Sequence, residues 1–265
     1  MRSQTCFVAA LLLLSLQAAA RADRTAADFT GLKQGFYLKM KDADQVTVTV
    51  GKMHSTTTTP TTHKILELSS DLDSAAFTLS GTQWYYIYVK TPSSGVNPAA
   101  GDIIASTSAP SFVASKLGWY DPSNADRRCI GAVYVISGAI VPFVQAAQTF
   151  QLTDRELVAR SGEFTAGAAD PEEVTFSVPA FADVVIANHQ IGTEGAPNGK
   201  TGRLSVRRNG DTGEGQRLAN CQRQLSYRLS EVRYIPLDGN KQAQYWVAEN
   251  DQGTTLGLQN VDITA

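Results

Sequence analysis

The residues able to do nucleophilic, metal or acid–base chemistry are few, and none stands in a spacing that performs it. The chain has three histidines and three cysteines. His54 and His63 bracket the run Ser55-Thr-Thr-Thr-Thr-Pro-Thr-Thr62. They could meet across a hairpin loop and hold a metal, or stand exposed on a flexible loop. His189 follows Asn188 at a strand end. No H-E-x-x-H, no C-x-x-C and no His pair at i, i+4 is present, so no metal site is expected. In Gly195-Ala-Pro-Asn-Gly199-Lys200-Thr201 the glycines have three residues between them. A phosphate-binding loop needs four, and then a helix whose N-terminus holds phosphate. The next segment, Arg203-Leu-Ser-Val-Arg207, has a strand pattern instead, and a β-turn is the reading. No G-x-S-x-G elbow occurs. The acid clusters Asp71-Leu-Asp73 and Asp170-Pro-Glu-Glu173 fall in turn-like segments. Catalytic carboxylates are defined by a separation in space that these spacings do not give. No calcium-loop pattern supports them either. No catalytic residue and no cofactor are expected, and the protein reads as one that is not an enzyme.

Binding chemistry is better represented. In Trp84-Tyr-Tyr-Ile-Tyr-Val89, a strand would put Trp84, Tyr86 and Tyr88 on one face and Tyr85, Ile87 and Val89 on the other. Such a strand is either buried on both faces or presents an aromatic stripe to a partner or a sugar. The loop Lys116 to Asp126 sets Trp119 and Tyr120 beside Asp121. Rings that stack on C–H groups and polar groups that take hydroxyls suit carbohydrate; the alternative is that Trp119 plugs the end of a sandwich. Between Arg203 and Arg233 the arginines 203, 207, 208, 217, 223, 228 and 233 face only Asp211, Glu214 and Glu231. Guanidinium groups capture carboxylate, sulfate or phosphate bidentately. A face carrying Arg207, Arg223 and Arg228 would dock an acidic polysaccharide or the acidic first module of a neighbouring subunit; otherwise it is solvated and paired locally.

The elements that must position these residues are strands. Alternation of period two dominates, and no long segment reads clearly as a helix. Val46-Thr-Val-Thr-Val50 alternates, with Ile65-Leu-Glu-Leu68 as its expected partner. Further strands are expected at 76–79, 84–89, 102–105, 129–136 and 139–144. In the second half they are expected at 174–178, 182–187, 203–208, 222–234 and 244–247. Asn209-Gly210 and Asp238-Gly239-Asn240 are turns. Gly, Pro, Ser and Asn clusters between short strands point to sandwiches. The expected fold is all-β, two jelly-roll-like β-sandwich modules in tandem at 23–148 and 149–265.

Residues 1–22 read as a signal peptide: Arg2, an apolar run from Phe7 to Leu16, and Ala20-Arg21-Ala22 as a cleavage site. Export to the extracellular space is expected, with the periplasm or the cell surface as alternatives. The apolar run is shorter than the roughly 20 residues a spanning helix needs. No later stretch is apolar enough to cross, so no membrane span is expected in the mature chain. The full chain has a formal net charge of −2, and losing Arg2 and Arg21 makes it more negative. No nucleic-acid partner is expected. Cys129 and Cys221 remain, and both are expected to be unpaired.

From Trp84 onward the sequence resembles phage and prophage tail-fibre or virion structural proteins. The residues carrying the resemblance are Trp84-Tyr-Tyr-Ile-Tyr-Val89, Ile104-Ala-Ser-Thr-Ser-Ala-Pro110, Arg127-Arg-Cys-Ile-Gly131 and Gly138-Ala-Ile-Val-Pro-Phe-Val-Gln145. It covers about residues 60–150; beyond them only a strand end, Ser177-Val178-Pro179, is similar. Cys129 between the arginines and Ile-Gly departs from the pattern, and a signal peptide is foreign to a virion protein. The resemblance implies structural motifs without an active site and a homo-oligomer, a trimer or filament. The function expected is structural or surface-binding, in extracellular assembly or adhesion, with a surface polysaccharide as a partner. A secreted glycan-active enzyme on a β-sandwich is the competing reading.

Overall fold

Short alternating segments gain stability only when paired, and among the described residues the pairing is antiparallel. The computed structural model describes residues 30–57, 62–146, 149–153, 158–160, 170–192, 201–212, 216–222, 228–248 and 259–264. Among them the protein is all-β, with short 3-10 turns as its only helical geometry. The expected signal peptide lies outside the described residues. The chain divides into two compact units, 1–153 and 154–265.

The first unit begins with β1 (Lys33–Gln34), β2 (Leu38–Asp42), β3 (Gln45–Val48), β4 (Gly51–Thr56), β5 (His63–Leu68) and β6 (Leu72–Asp73). It continues through β7 (Gln83–Lys90), β8 (Ile103–Ser106), β9 (Ser111–Val113), β10 (Gly118–Asp121) and β11 (Asn124–Ile136). Then come β12 (Ala139–Ile140), β13 (Phe143–Ala146) and β14 (Thr149–Leu152). They form sheets of order β1-β4-β5, β8-β7-β11-β10-β9 with β12 beside β11, and β14-β13-β2-β3-β6. Phe36, Leu38, Val46, Val48, Leu66, Ile87 and Val133 share the core between them.

Residues 76–79, expected as a strand, form none, and two further expectations about this unit need correction. Val46 and Val48 pair with Met40 and Leu38 of β2, not with Ile65 to Leu68. The partner of β5 is β4, which pairs His54 with Ile65 and Thr56 with His63. The physical reason is a close crossing at Gly51. A Cβ there would lie 2.1 Å from the Gln34 carbonyl oxygen and 2.8 Å from the Gly35 Cα. Gly35 itself has φ +77°. Only two glycines let the chain leave β3, turn back past β1 and enter a different sheet. The second difference concerns the end of the unit. Gln145 to Thr153 lacks clear alternation, yet β13 and β14 pair from Phe143↔Leu152 to Ala146↔Thr149. The hairpin belongs to the first unit, and the division comes after it.

The second unit contains β15 (Val158–Arg160), β16 (Glu172–Thr175), β17 (Val184–Gly192) and β18 (Thr201–Arg208). Its remaining strands are β19 (Gln216–Gln222), β20 (Arg228–Pro236), β21 (Gln242–Ala248) and β22 (Gln259–Thr264). Two sheets result, β15-β22-β17-β20 and β16-β21-β18-β19. Val185, Ala187 and Ile235 from one sheet meet Val174, Leu204, Val206, Ala243 and Tyr245 from the other in a single cluster. Asn209-Gly210 turns the chain from β18 toward β19, with Gly210 at φ +85°. Asp238 accepts the backbone N–H groups of Asn240 and Gln242 and carries the chain from one sheet into the other.

Candidate functional site

Polar side chains are concentrated inside one part of the first unit. His54, Ser55 and Thr56 on β4, Thr91 after β7, Asp121 on β10 and Arg128 on β11 are all buried. Arg128 organises them. Its guanidinium donates to the carbonyls of Gly31 at 3.1 Å and Leu32 at 3.0 Å, and to that of His54. Gly118 leaves room for it, since a Cβ there would stand 3.0 Å from Nε. The Thr91 hydroxyl lies 2.7 Å from that of Ser55 and 3.0 Å from the carbonyls of Thr56 and Asp126. Burial pushes the Arg128 guanidinium below its ordinary value and the Tyr120 phenol above its own. Through Arg128 the cluster ties β4 and β11 to the N-terminal segment.

Upon that base stands the hairpin of β9 and β10, at the edge of its sheet. A 3-10 turn over Ala114–Lys116 joins the strands, and Leu117 comes next in the left-handed region at φ 46°. Phe112 and Trp119 are paired across the hairpin with rings edge to face at 5.6 Å. Phe112 is 53% exposed and Leu117 55%, while Trp119 is half-buried. Half-buried, Trp119 forms an apolar tip with Phe112 and Leu117. Sequence reading found Trp119 and missed Phe112, which only the register brings beside it.

The other expected ligand groups are placed differently. Tyr120 is buried and has the Lys116 ammonium 4.5 Å from its ring centre. Asp121 accepts from the Ser123 N–H, the Asn124 amide and the Arg127 guanidinium, so its carboxylate shapes the turn. Tyr86 and Tyr88 are buried too, the Tyr88 hydroxyl donating to the Ser108 carbonyl at 2.7 Å. Trp84 is half-buried against Tyr134 and Phe150. The aromatic strand is thus buried on both faces and offers no stripe to a ligand. Tyr86, Tyr88, Tyr120 and Asp121 are corrected from candidate ligand groups to interior ones.

The three arginines do not share a sheet. Arg207 lies on β18, donating to the Gln244 amide oxygen at 2.9 Å and covering the Trp246 ring at 5.1 Å. Arg228 lies on β20 in the other sheet. Arg223 lies outside the described residues, as does the 195–200 stretch of the glycine-rich loop. Asp71 and Asp73 form surface ion pairs with Lys39 and Lys41 at 2.8 and 2.7 Å. Hydrogen bonds from those lysines hold both carboxyls below the usual range. His189 is buried, with Nε2 3.0 Å from the Tyr245 hydroxyl. Cys129 is free and buried, and burial pushes its thiol up to about 12.

The second unit contributes an apolar surface the sequence reading did not single out. On β17, Val185, Ala187 and His189 point inward, leaving Val184 and Ile186 outward. On β20 the register sets Tyr234 opposite Ile186 and Val232 opposite Asn188. Val184 is 49% exposed, Ile186 40%, Val232 61% and Tyr234 69%. Four neighbouring apolar side chains on one sheet face are more than scattered surface residues.

No family model matches the chain, and no curated protein matches it. Among solved structures it is similar to the infectious bursal disease virus VP2 subviral particle, at 6% identity over 88% of this chain and 73% of that one. The TM-score of 0.21 is too low to carry an argument.

Proposed function

We propose that the protein is an exported, non-catalytic structural component, two sandwich-like modules in tandem, that acts by assembling with copies of itself. The observation that carries this reading is the outward row Val184, Ile186, Val232 and Tyr234. Apolar area on a sheet face costs free energy in water, about 25 cal/mol per Å², and a second copy removes it. The phage tail-like resemblance agrees with assembly into a trimer or filament. The apolar tip of Phe112, Leu117 and Trp119 supports adhesion as the second half of the role, with a surface polysaccharide as the partner that stacks on its rings. The competing enzyme reading has less support, because the acid adjoining Trp119 is engaged by Arg127.

The test is solution mass over a range of protein concentrations, on the wild type and on Val232→Lys with Tyr234→Lys. The wild type should be oligomeric and the double variant monomeric, with unchanged β circular dichroism. A wild type that stays monomeric throughout, or a double variant that assembles as the wild type does, removes the reading.

A further inference from the structure

His54 on β4 and His63 on β5 do meet, and the way they meet is informative. His54 Nε2 lies 2.9 Å from His63 Nδ1. Their rings are tilted by 29° and the centroids are 5.1 Å apart. The centroid separation exceeds the N···N distance by about two ring radii, so the two nitrogens face each other along one line. A metal would need both lone pairs to converge on a third point. Two nitrogens on one line share a proton instead, as an N–H···N hydrogen bond.

Burial fixes which ring donates. His54 Nδ1 is buried without a hydrogen-bond partner among the described residues. Orphaned buried N–H groups are rarer than orphaned acceptors, and Arg128 and Lys116 beside the ring favour a lone pair on Nδ1, which assigns the neutral His54 proton to Nε2, donating to His63. A proton added to His63 Nδ1 sets two N–H groups against each other. Reversing the bond would place a proton on His54 Nδ1, where no described residue accepts it. The charged groups facing His54 give no relief. They are Arg128 from β11, Lys116 from the turn before β10, and His63 itself, all cationic when charged.

We propose that the His54–His63 pair is an acid-operated latch: a proton on His63 Nδ1 sets N–H against N–H, one on His54 Nδ1 is a buried donor without an acceptor among the described residues, and either loosens the β4–β5 hairpin with the N-terminal segment that β4 holds. That segment depends on the same place. The His54 N–H donates to the Leu32 carbonyl at 2.9 Å, β1 pairs with β4, and Arg128 joins the carbonyls of Gly31, Leu32 and His54. The histidine sets the direction with pH. Burial, with Arg128 next, pushes His54 from 6.5 down to about 4. Between those values the unfolded segment binds more protons than the folded one. The hairpin is therefore at full stability above about pH 6.5 and loses it as pH falls toward 4.

Amide exchange of the full chain, followed by mass spectrometry from pH 7.5 to 4.5 and corrected for intrinsic rates, tests the latch. Residues 31–34, 52–56 and 63–66 should lose about tenfold or more of their protection while 85–89 and 130–135 keep theirs. In His63→Gln the amide oxygen accepts from His54 without titrating, so the loss should move to lower pH. Nitrogen-15 spectra of the wild type at pH 7.5 should show the His54 proton on Nε2, a readout that stands even where the variant does not fold. Unchanged protection on acidification overturns the latch, as does loss extending through β7 and β11. So does an identical pH dependence in His63→Gln, or a His54 proton found on Nδ1.

Discussion

Arg128 brings a positive charge into the first unit, and among the described residues its hydrogen bonds go to carbonyl oxygens rather than to a carboxylate. A guanidinium suits this because its donors are fixed in one plane and reach acceptors on separate segments. Two effects compete when it is removed. Losing a buried charge relieves desolvation, while the carbonyls lose their donors. Leu32 keeps the His54 N–H, but Gly31 and His54 lose their contact with Arg128. The second effect should win. Arg128→Met is expected to destabilise the first unit by about 2–4 kcal/mol, and Arg128→Lys to recover only part of that. Urea unfolding measures both. A Met variant within about 0.5 kcal/mol of wild type would mean that desolvation cancels the bonds.

At the scale of elements, strands with one polar face or a run of β-formers were legible, and a strand of buried polar residues was not. Val46 and Val48 are buried between half-buried Thr47 and Thr49, and their strand was readable. In β4 the residues Met53 to Thr56 are all buried, so no alternation exists to read. Three of those four are polar, which made a strand look like the start of a loop. The aromatic strand was placed correctly, since eight residues rich in Tyr, Ile and Val fit a pleated surface. Whether Tyr86 and Tyr88 faced solvent depended on packing that no local pattern contains. The crossing of Gly35 and Gly51 was equally silent, because isolated glycines carry no mark of what passes beside them. It makes a sharp prediction. Gly51→Ala puts a methyl 2.1 Å from a backbone oxygen, where no flexible side chain can yield. The loss should reach about 3 kcal/mol or more, read as a lowered urea midpoint. Alanine at Gly101, which has open space around its Cβ position, should change the midpoint little.

At the scale of the whole molecule, each unit has a hydrophobic cluster built only from its own residues, 36–152 in one and 174–245 in the other. Cooperativity follows shared burial, so a cavity should weaken the unit in which it is made. Leu66 and Ile235 are both fully buried, one in each cluster. Truncating either to alanine should cost about 2–5 kcal/mol, the lost transfer free energy plus the cavity left behind. Tryptophan emission can separate the outcomes. Trp84 and Trp119 belong to the first unit and Trp246 to the second, so Trp246→Phe leaves reporters in the first unit alone. In that background Leu66→Ala should lower the urea midpoint of the emission change and Ile235→Ala should leave it in place. Equal shifts from both substitutions would show that the chain unfolds as one body. The two clusters would then stand or fall together despite sharing no residue.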